Sequence, residues 1–241
     1  MIKYLKNFFN VGLDNESVRV AWLEKALKKI PVGSKILDAG AGELQFKKFC
    51  NHLEYVSQDF AQYDGSGDGS GLQTKTWDNS KLDIVSDITK IPEPDKSFDA
   101  IMCVEVFEYL PDPVSAIREF SRLMKVGGDL VITAPFCSLT HFSPYHFCSG
   151  FNRYFYEKNL SDNGFEIVEI TANGNYFEYV AQELRRICFV AQQHSGLKGK
   201  KYFLKFLVYG LLFLLKKFSS KDRGSSELLC FGYHVIAKKI K

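Results

Sequence analysis

Ile36-Leu37-Asp38-Ala39-Gly40-Ala41-Gly42-Glu43 is the stretch that decides the fold. A short apolar run ends in an acid, and two glycines follow at alternate positions. A parallel strand reads this way when it breaks into a tight turn. Glycine takes positive φ and lets a ligand approach the backbone. The pattern predicts a helix from about Leu44 to His52 whose first N–H groups point back at the turn. A second strand end, Tyr55-Val56-Ser57-Gln58-Asp59, places an acid 21 residues after Asp38. An acid there suits two adjacent ribose hydroxyls. A glycine turn with a distal acid predicts a bound nucleoside.

The dinucleotide pattern G-x-G-x-x-G requires a third glycine, and this stretch lacks it. An acid directly before the turn would repel a pyrophosphate and suits a cationic amino group. Here the sequence resembles the class I S-adenosylmethionine-dependent methyltransferases, whose first motif reads roughly (V/I)LDxGxGxG. Asp38, Gly40 and Gly42 match it, and Leu44 stands at the last glycine. The competing reading is an ordinary turn between strand and helix.

The resemblance continues downstream. Leu82-Asp83-Ile84-Val85-Ser86-Asp87-Ile88 matches the segment whose acid accepts from the adenine amine, with Asp87 as that acid and Ile88 near the ring; the alternative for Asp87 is a turn or cap acid. Ser97 to Leu110, followed by Pro111-Asp112-Pro113, resembles the fourth strand and the motif FDxIxxxxVLEHLPDP. Val104 and Glu105 fall where that strand meets the methionine end of the cofactor. Tyr109 replaces the usual histidine, and a phenol with an ordinary pKa near 10 is a poor base. An amphipathic helix is predicted over 113–125, with Val114, Ile117, Phe120, Leu123 and Met124 on one face. A turn at 125–129 then leads to a fifth strand, 130–135, resembling the family's L(K)PGGxLxIxxP with Val126 for proline.

The segment from Phe136 to Tyr156 leaves the carboxyl end of the fifth strand, where open α/β sheets bind ligands. It resembles the H…PxHFxxF(T/S)RYxxxxL stretch of small-molecule methyltransferases. If the acceptor is a hydroxyl, a base must take its proton, and His141 or His146 fits that role. The alternatives are catalysis by positioning alone and histidines that merely pack the loop. Tyr109, Tyr145 and Arg153 are the candidate acceptor contacts. Asp38, Gly40, Gly42, Asp59, Phe60, Asp87, Ile88, Val104 and Glu105 are the candidate cofactor contacts. No metal is expected.

The rest of the chain frames this core. A helix over 16–30, with Val18, Trp22, Ala26, Leu27 and Ile30 as its stripe, precedes the first strand. The tract Asp64-Gly65-Ser66-Gly67-Asp68-Gly69-Ser70-Gly71 reads as a flexible loop, either a flap near the ribose or a tolerated insertion. A helix over 157–163 precedes a sixth strand at 165–171, and the seventh strand lies at 229–237, where His234 is expected to be structural. Between them lies an insertion of about 55 residues with a helix over about 176–192. Its second part, Tyr202 to Leu215, is apolar nearly all round but too short for a hydrocarbon core of roughly 30 Å. Eight Lys/Arg (Lys198, Lys200, Lys201, Lys205, Lys216, Lys217, Lys221, Arg223) face Asp222 alone between Ser195 and Gly224. Three readings follow: contact with an anionic membrane surface, a lid over the pocket, or a dimer interface.

The expected architecture is α/β, a doubly wound seven-stranded, mostly parallel sheet with an antiparallel last strand and a helical insertion before it. It is read as one domain over 1–241: a helical lead-in at 1–33, a core at 34–175, the insertion at 176–226 and the last strand at 227–241. At 46% hydrophobic residues the chain can bury such a core, and a net charge of +3 is too small to imply nucleic acid. Six cysteines without a C-x-x-C pair predict reduced, buried thiols, and the first residues lack a signal-peptide core, which points to a cytoplasmic protein, peripheral to the membrane's inner face if the insertion touches lipid. The resemblance implies methyl transfer from S-adenosylmethionine, leaving S-adenosylhomocysteine, to a small-molecule, sugar or lipid-linked acceptor. The rivals are a cofactor-binding regulatory protein without transfer activity and a membrane-associated scaffold.

Overall fold

The computed structural model describes residues 10–195 and 201–241, with the side chains of 201–205 excluded. The described chain forms two compact units. One comprises Val20–Thr171 and Gly232–Lys241, and the other comprises the described residues up to Arg19 and Ala172–Phe231.

The sheet runs in the order β3-β2-β1-β4-β5-β7-β6. Its strands are β1 (Lys35–Ala39), β2 (Glu54–Asp59), β3 (Ile84–Val85), β4 (Phe98–Val104), β5 (Met124–Pro135), β6 (Phe165–Asn173) and β7 (Gly232–Lys239). β1 is parallel to β2 and β4, β3 is parallel to β2, and β5 is parallel to β4. β7 is antiparallel to β5 from Asp129↔Lys238 to Pro135↔Gly232. The expected seven-stranded α/β sheet is thus observed. Parallel strands covered on both faces read as apolar runs. Accordingly, Ile36, Leu37, Ile101, Met102, Leu130 and Ile132 are fully buried.

Boundaries moved where local geometry overrode pattern. Helix α1 spans Asn15–Leu27 and buries Leu23, Ala26 and Leu27, whereas Val18 is exposed. The chain beyond Leu27 turns before β1, so Ile30 enters the core from that turn. Helix α2 spans Pro113–Leu123. The Asp112 side chain accepts from the Ser115 N–H, and Pro113 occupies the first turn, so the start is capped and pre-set. Ala116, Ile117, Phe120 and Leu123 form its buried face. Met124 already belongs to β5, because the expected turn at 125–129 is a bulge inside the strand: Phe98 pairs with Met124, but Ala100 pairs with Asp129. Helix α3 spans Arg153–Asp162, capped by Asn152.

The second unit holds helices α4 (Tyr176–His194) and α5 (Lys201–Ser219). Asn175 caps α4 by accepting from the N–H groups of Phe177 and Glu178. Val208 and Leu212 of α5, four residues apart, pack with Ala181 and Val11, and Leu184 and Leu215 flank them. Of the basic residues of this stretch, Lys198 and Lys200 lie outside the described residues, as do the side chains of Lys201 and Lys205. Among the described residues, no helix is long and apolar enough to cross a membrane. Cys50, Cys103 and Cys230 are buried as expected, but Cys137 is exposed and Cys148 and Cys188 are half-buried.

Candidate active site

The turn after β1 is held from beneath. The Gln58 carbonyl at the end of β2 accepts from both Gly40 N–H (2.8 Å) and Ala41 N–H (2.9 Å). Gly40 has φ +82, and a Cβ there would sit 2.4 Å from Val106 Cγ2. Backbone conformation and close approach thus both demand glycine at that position. The expected helix from Leu44 does not form. Leu44 itself has φ +60, the left-handed conformation that the family's third glycine would adopt freely. A right-handed helix cannot start through such a residue, so only turns and a 3₁₀ segment, Lys47–Phe49, follow.

The two acids of the nucleoside pattern end in different places. Asp38 is 2 % exposed, and its Oδ2 accepts from Tyr55 Oη at 2.6 Å. Burial, helped by the nearby Asp59 charge and opposed by the Tyr55 bond, pushes its pKa up to about 7. Its carboxyl is thus buried against Tyr55, the partner that holds it in place. Asp59 is half-buried and reaches the turn. Its Oδ2 accepts from Gly42 N–H and its Oδ1 from Ala61 N–H, each at 3.0 Å. A carboxylate offers about four lone pairs, so two remain for a vicinal diol.

Asp87 is exposed, and its Oδ1 takes both the N–H and the hydroxyl of Thr89 at 2.8 Å, the geometry of a turn acid. Ile88 beside it is buried. Val104 is buried at the end of β4, and Glu105 follows with φ +55. Glu105 is fixed to β5 twice, through its N–H to the Thr133 carbonyl (2.8 Å) and through its Oε1, which accepts from Thr133 Oγ1 (2.9 Å). Phe60 meets Tyr145 edge-on at 5.0 Å. Arg153 pairs with Glu157 on its own helix at 2.7 Å and lies over the Tyr154 ring.

Tyr109 and His141, 32 residues apart, are hydrogen-bonded through Oη and Nε2. The proton positions follow from the partners. His141 Nδ1 lies 2.7 Å from the Leu139 carbonyl, which only accepts, so Nδ1 carries the proton. In the neutral ring Nε2 then holds the lone pair, and Tyr109 donates to it. His146 has the opposite tautomer. The Ser138 hydroxyl gives its one proton to the Ser149 carbonyl (2.9 Å), so its oxygen accepts from His146 Nε2 (3.1 Å). The two imidazoles are 4.9 Å apart. Burial first, and His141 second, lower the His146 pKa, keeping that ring neutral at pH 7.

Three contributors escaped sequence reading: Tyr63, Trp77 and Phe142. Phe142 stacks on Tyr109 at 5.2 Å and on Tyr63 at 4.5 Å, and Trp77 meets Phe142 edge-on at 5.3 Å. Trp77 in turn covers the glycine turn, since a Cβ on Gly42 would lie 2.6 Å from its Cζ2. The rings thus run from Gly42 to the Tyr109–His141 pair. The segment bearing His141 is pinned by the glycine tract, which is no slack linker. Leu72 N–H donates to the Thr140 carbonyl, Phe142 N–H to the Leu72 carbonyl, and Asp68 N–H to the Ser143 carbonyl. A Cβ at Gly67 would lie 1.9 Å from the Ser143 oxygen, and one at Gly71 2.6 Å from the Thr140 oxygen. Glycine at alternate positions was the available signal, because it marks close backbone approach as readily as flexibility.

Comparison with known proteins agrees with this architecture. Residues 37–132 match a family described as a methyltransferase domain. The chain is 36% identical over 63 residues to a ubiquinone biosynthesis O-methyltransferase of Xanthomonas oryzae pv. oryzae (strain PXO99A), covering 26% of each chain. It is 26% identical over 131 residues to the ubiquinone biosynthesis O-methyltransferase of Dechloromonas aromatica (strain RCB), covering 50% of this chain and 51% of that one. The chain thus spans between a quarter and a half of the length of these relatives. Among solved structures, a geranyl diphosphate methyltransferase in complex with SAM superposes with a TM-score of 0.54 at 13% identity, over 93% of this chain and 86% of that one. The [4+2]-cyclase SpnF superposes with a TM-score of 0.54 at 17% identity, over 90% and 80%. These structures share the fold, and the class I methyltransferase resemblance drawn from the sequence is borne out.

Proposed function

We propose that this chain, which carries a methyltransferase domain of the class I S-adenosylmethionine-dependent family, transfers a methyl group from S-adenosylmethionine to a hydroxyl of a small-molecule acceptor, sugars and lipid-linked molecules included. The observation that carries this reading is the ring-lined connection between the Asp59-braced glycine turn and the Tyr109–His141 pair. The residues fit the cofactor: Asp59 keeps lone pairs for a ribose diol, Gly40 and Gly42 let the turn adopt positive φ beneath Val106 and Trp77, and Ile88 offers an apolar wall. The names of the O-methyltransferase relatives support oxygen as the acceptor atom.

When bound, S-adenosylmethionine supplies a methyl group on a cationic sulfur, an electrophile that an oxygen can attack. The chain's own task is to receive the acceptor's proton. In this reading the acceptor hydroxyl donates to Tyr109 Oη while Tyr109 passes its proton to His141 Nε2. A phenol alone is a poor base, but here it only relays the proton to an imidazole. The imidazolium that forms keeps both N–H groups bonded, one to the Leu139 carbonyl and one to Tyr109. His146 is held neutral beside it, so no second cation opposes the transfer.

The test is calorimetric titration with S-adenosylmethionine and S-adenosylhomocysteine, followed by transfer of labelled methyl to a panel of phenols, catechols and sugar alcohols. Binding that Asp59→Ala weakens by roughly 100-fold, and turnover that Tyr109→Phe slows, are expected. Turnover unchanged in Tyr109→Phe would remove the relay, and absence of binding in the unaltered protein would remove the enzyme.

A further inference from the structure

The outer face of α5 is the least expected surface of the molecule. Val208 and Leu212 bury one side of the helix. Phe206, Gly210, Phe213 and Lys217 follow at intervals of four, three and four, so they ride on the opposite side. Water should strip such a face of large apolar side chains, yet Phe206 is 74 % exposed, with Leu207, Tyr209, Leu214 and Phe218 all exposed around it.

Charge identifies what covers it. From Phe206 to Gly224 the chain carries Lys216, Lys217, Lys221 and Arg223 against Asp222 alone. Lys217, Lys221 and Arg223 are exposed. Asp222 is turned to its own backbone, accepting from the N–H groups of Gly224 and Ser225. Lys217 Nζ lies 4.5 Å over the Phe213 ring, bringing cation and apolar face onto one surface. A protein partner would match the apolar area with few charges, whereas an interface of acyl chain and anionic headgroup matches both halves. The helix is 19 residues long, about 28 Å, and does not qualify as a span. It has the make-up of a helix that lies in the interface plane.

We propose that α5 docks this protein on a bilayer containing anionic phospholipid, with Phe206, Leu207, Phe213 and Leu214 entering the acyl boundary and Lys217, Lys221 and Arg223 meeting the headgroups. The experiment is co-sedimentation of the full chain with phosphatidylcholine vesicles, with and without phosphatidylglycerol, at 50 and 500 mM salt. Binding is expected only with phosphatidylglycerol, and weaker at high salt. Each headgroup-facing cation contributes about a fivefold factor, so Lys217→Gln with Lys221→Gln lowers partitioning roughly 25-fold. Phe206→Ser with Phe213→Ser abolishes it, while circular dichroism and the unfolding midpoint show the variants folded. A Phe206→Trp variant reports insertion as a blue shift of emission on adding vesicles. Equal sedimentation with neutral vesicles, no sedimentation at all, or a dimer in analytical ultracentrifugation that the Phe206→Ser, Phe213→Ser variant splits without any vesicle binding would each overturn the proposal.

Discussion

Asp38→Asn tests whether the acid before the glycine turn serves the fold or the ligand. In the unfolded chain this carboxyl titrates near 3.8, and in the folded protein burial pushes it up to about 7. A raised acid is protonated more readily when folded. Its contribution is therefore fully present below about pH 4, falls as pH rises towards 7, and is flat above that. About three units at 1.36 kcal/mol each make the loss about 4 kcal/mol by pH 7. An asparagine keeps an acceptor for Tyr55 Oη and removes the charge. Unfolding in urea from pH 4 to pH 8 should thus show the variant gaining on the unaltered protein by about 1.4 kcal/mol per pH unit up to pH 7, then holding constant. Taking the difference cancels the opposing contributions of Asp83 and Asp99, whose carboxyls are held below the usual range by Ser57 and Lys125 respectively. Because the carboxyl faces Tyr55, S-adenosylmethionine affinity should stay within about tenfold, as one site carbonyl replaces another. A difference in stability that does not change with pH would refute the raised pKa, and a complete loss of cofactor binding would place Asp38 in the ligand site after all.

The remaining predictions concern the turn and the pair. Asp59→Ala removes a charged acceptor from Gly42, Ala61 and the proposed diol, and calorimetry should show cofactor affinity down by roughly 100-fold. Leu44→Gly relieves a left-handed leucine and should leave the unfolding midpoint level or higher, whereas Leu44→Val, β-branched at φ +60, should cost about 2 kcal/mol. Gly67→Ala forces the Ser143 carbonyl away and, with it, His141; kcat should fall more than cofactor affinity, and a parallel fall in both would contradict this. Tyr109→Phe should lower kcat by roughly 100-fold and abolish the acid limb of its pH profile, which a merely packing ring would leave in place.

The sequence alone determined the sheet, its turn and its acids. Apolar runs of strand length separated by helical periods permit little besides a parallel α/β sheet, and glycine at 40 and 42 with an acid at 59 follows from local backbone needs that Gly40 and Gly42 then met at positive φ. It also singled out Tyr109 and His141, though as separate residues, one as an acceptor contact and the other as a candidate base. Only tertiary structure decided what these residues do to one another. Asp38 and Asp59 look alike in sequence, but one is buried against Tyr55 and the other bonds the N–H groups of the turn. Tyr109 looked like a lost histidine until His141 proved to be its partner, and the tautomer of that ring depends on the carbonyl of Leu139. The glycine tract read as slack because composition reports only what a backbone is free to do; the carbonyls of Thr140 and Ser143, about 70 residues onward, decide what it does. Local pattern encodes burial and φ, which each residue settles with its neighbours in the chain. Hydrogen-bond partners and pKa values belong to pairs, and the fold alone brings the pairs together.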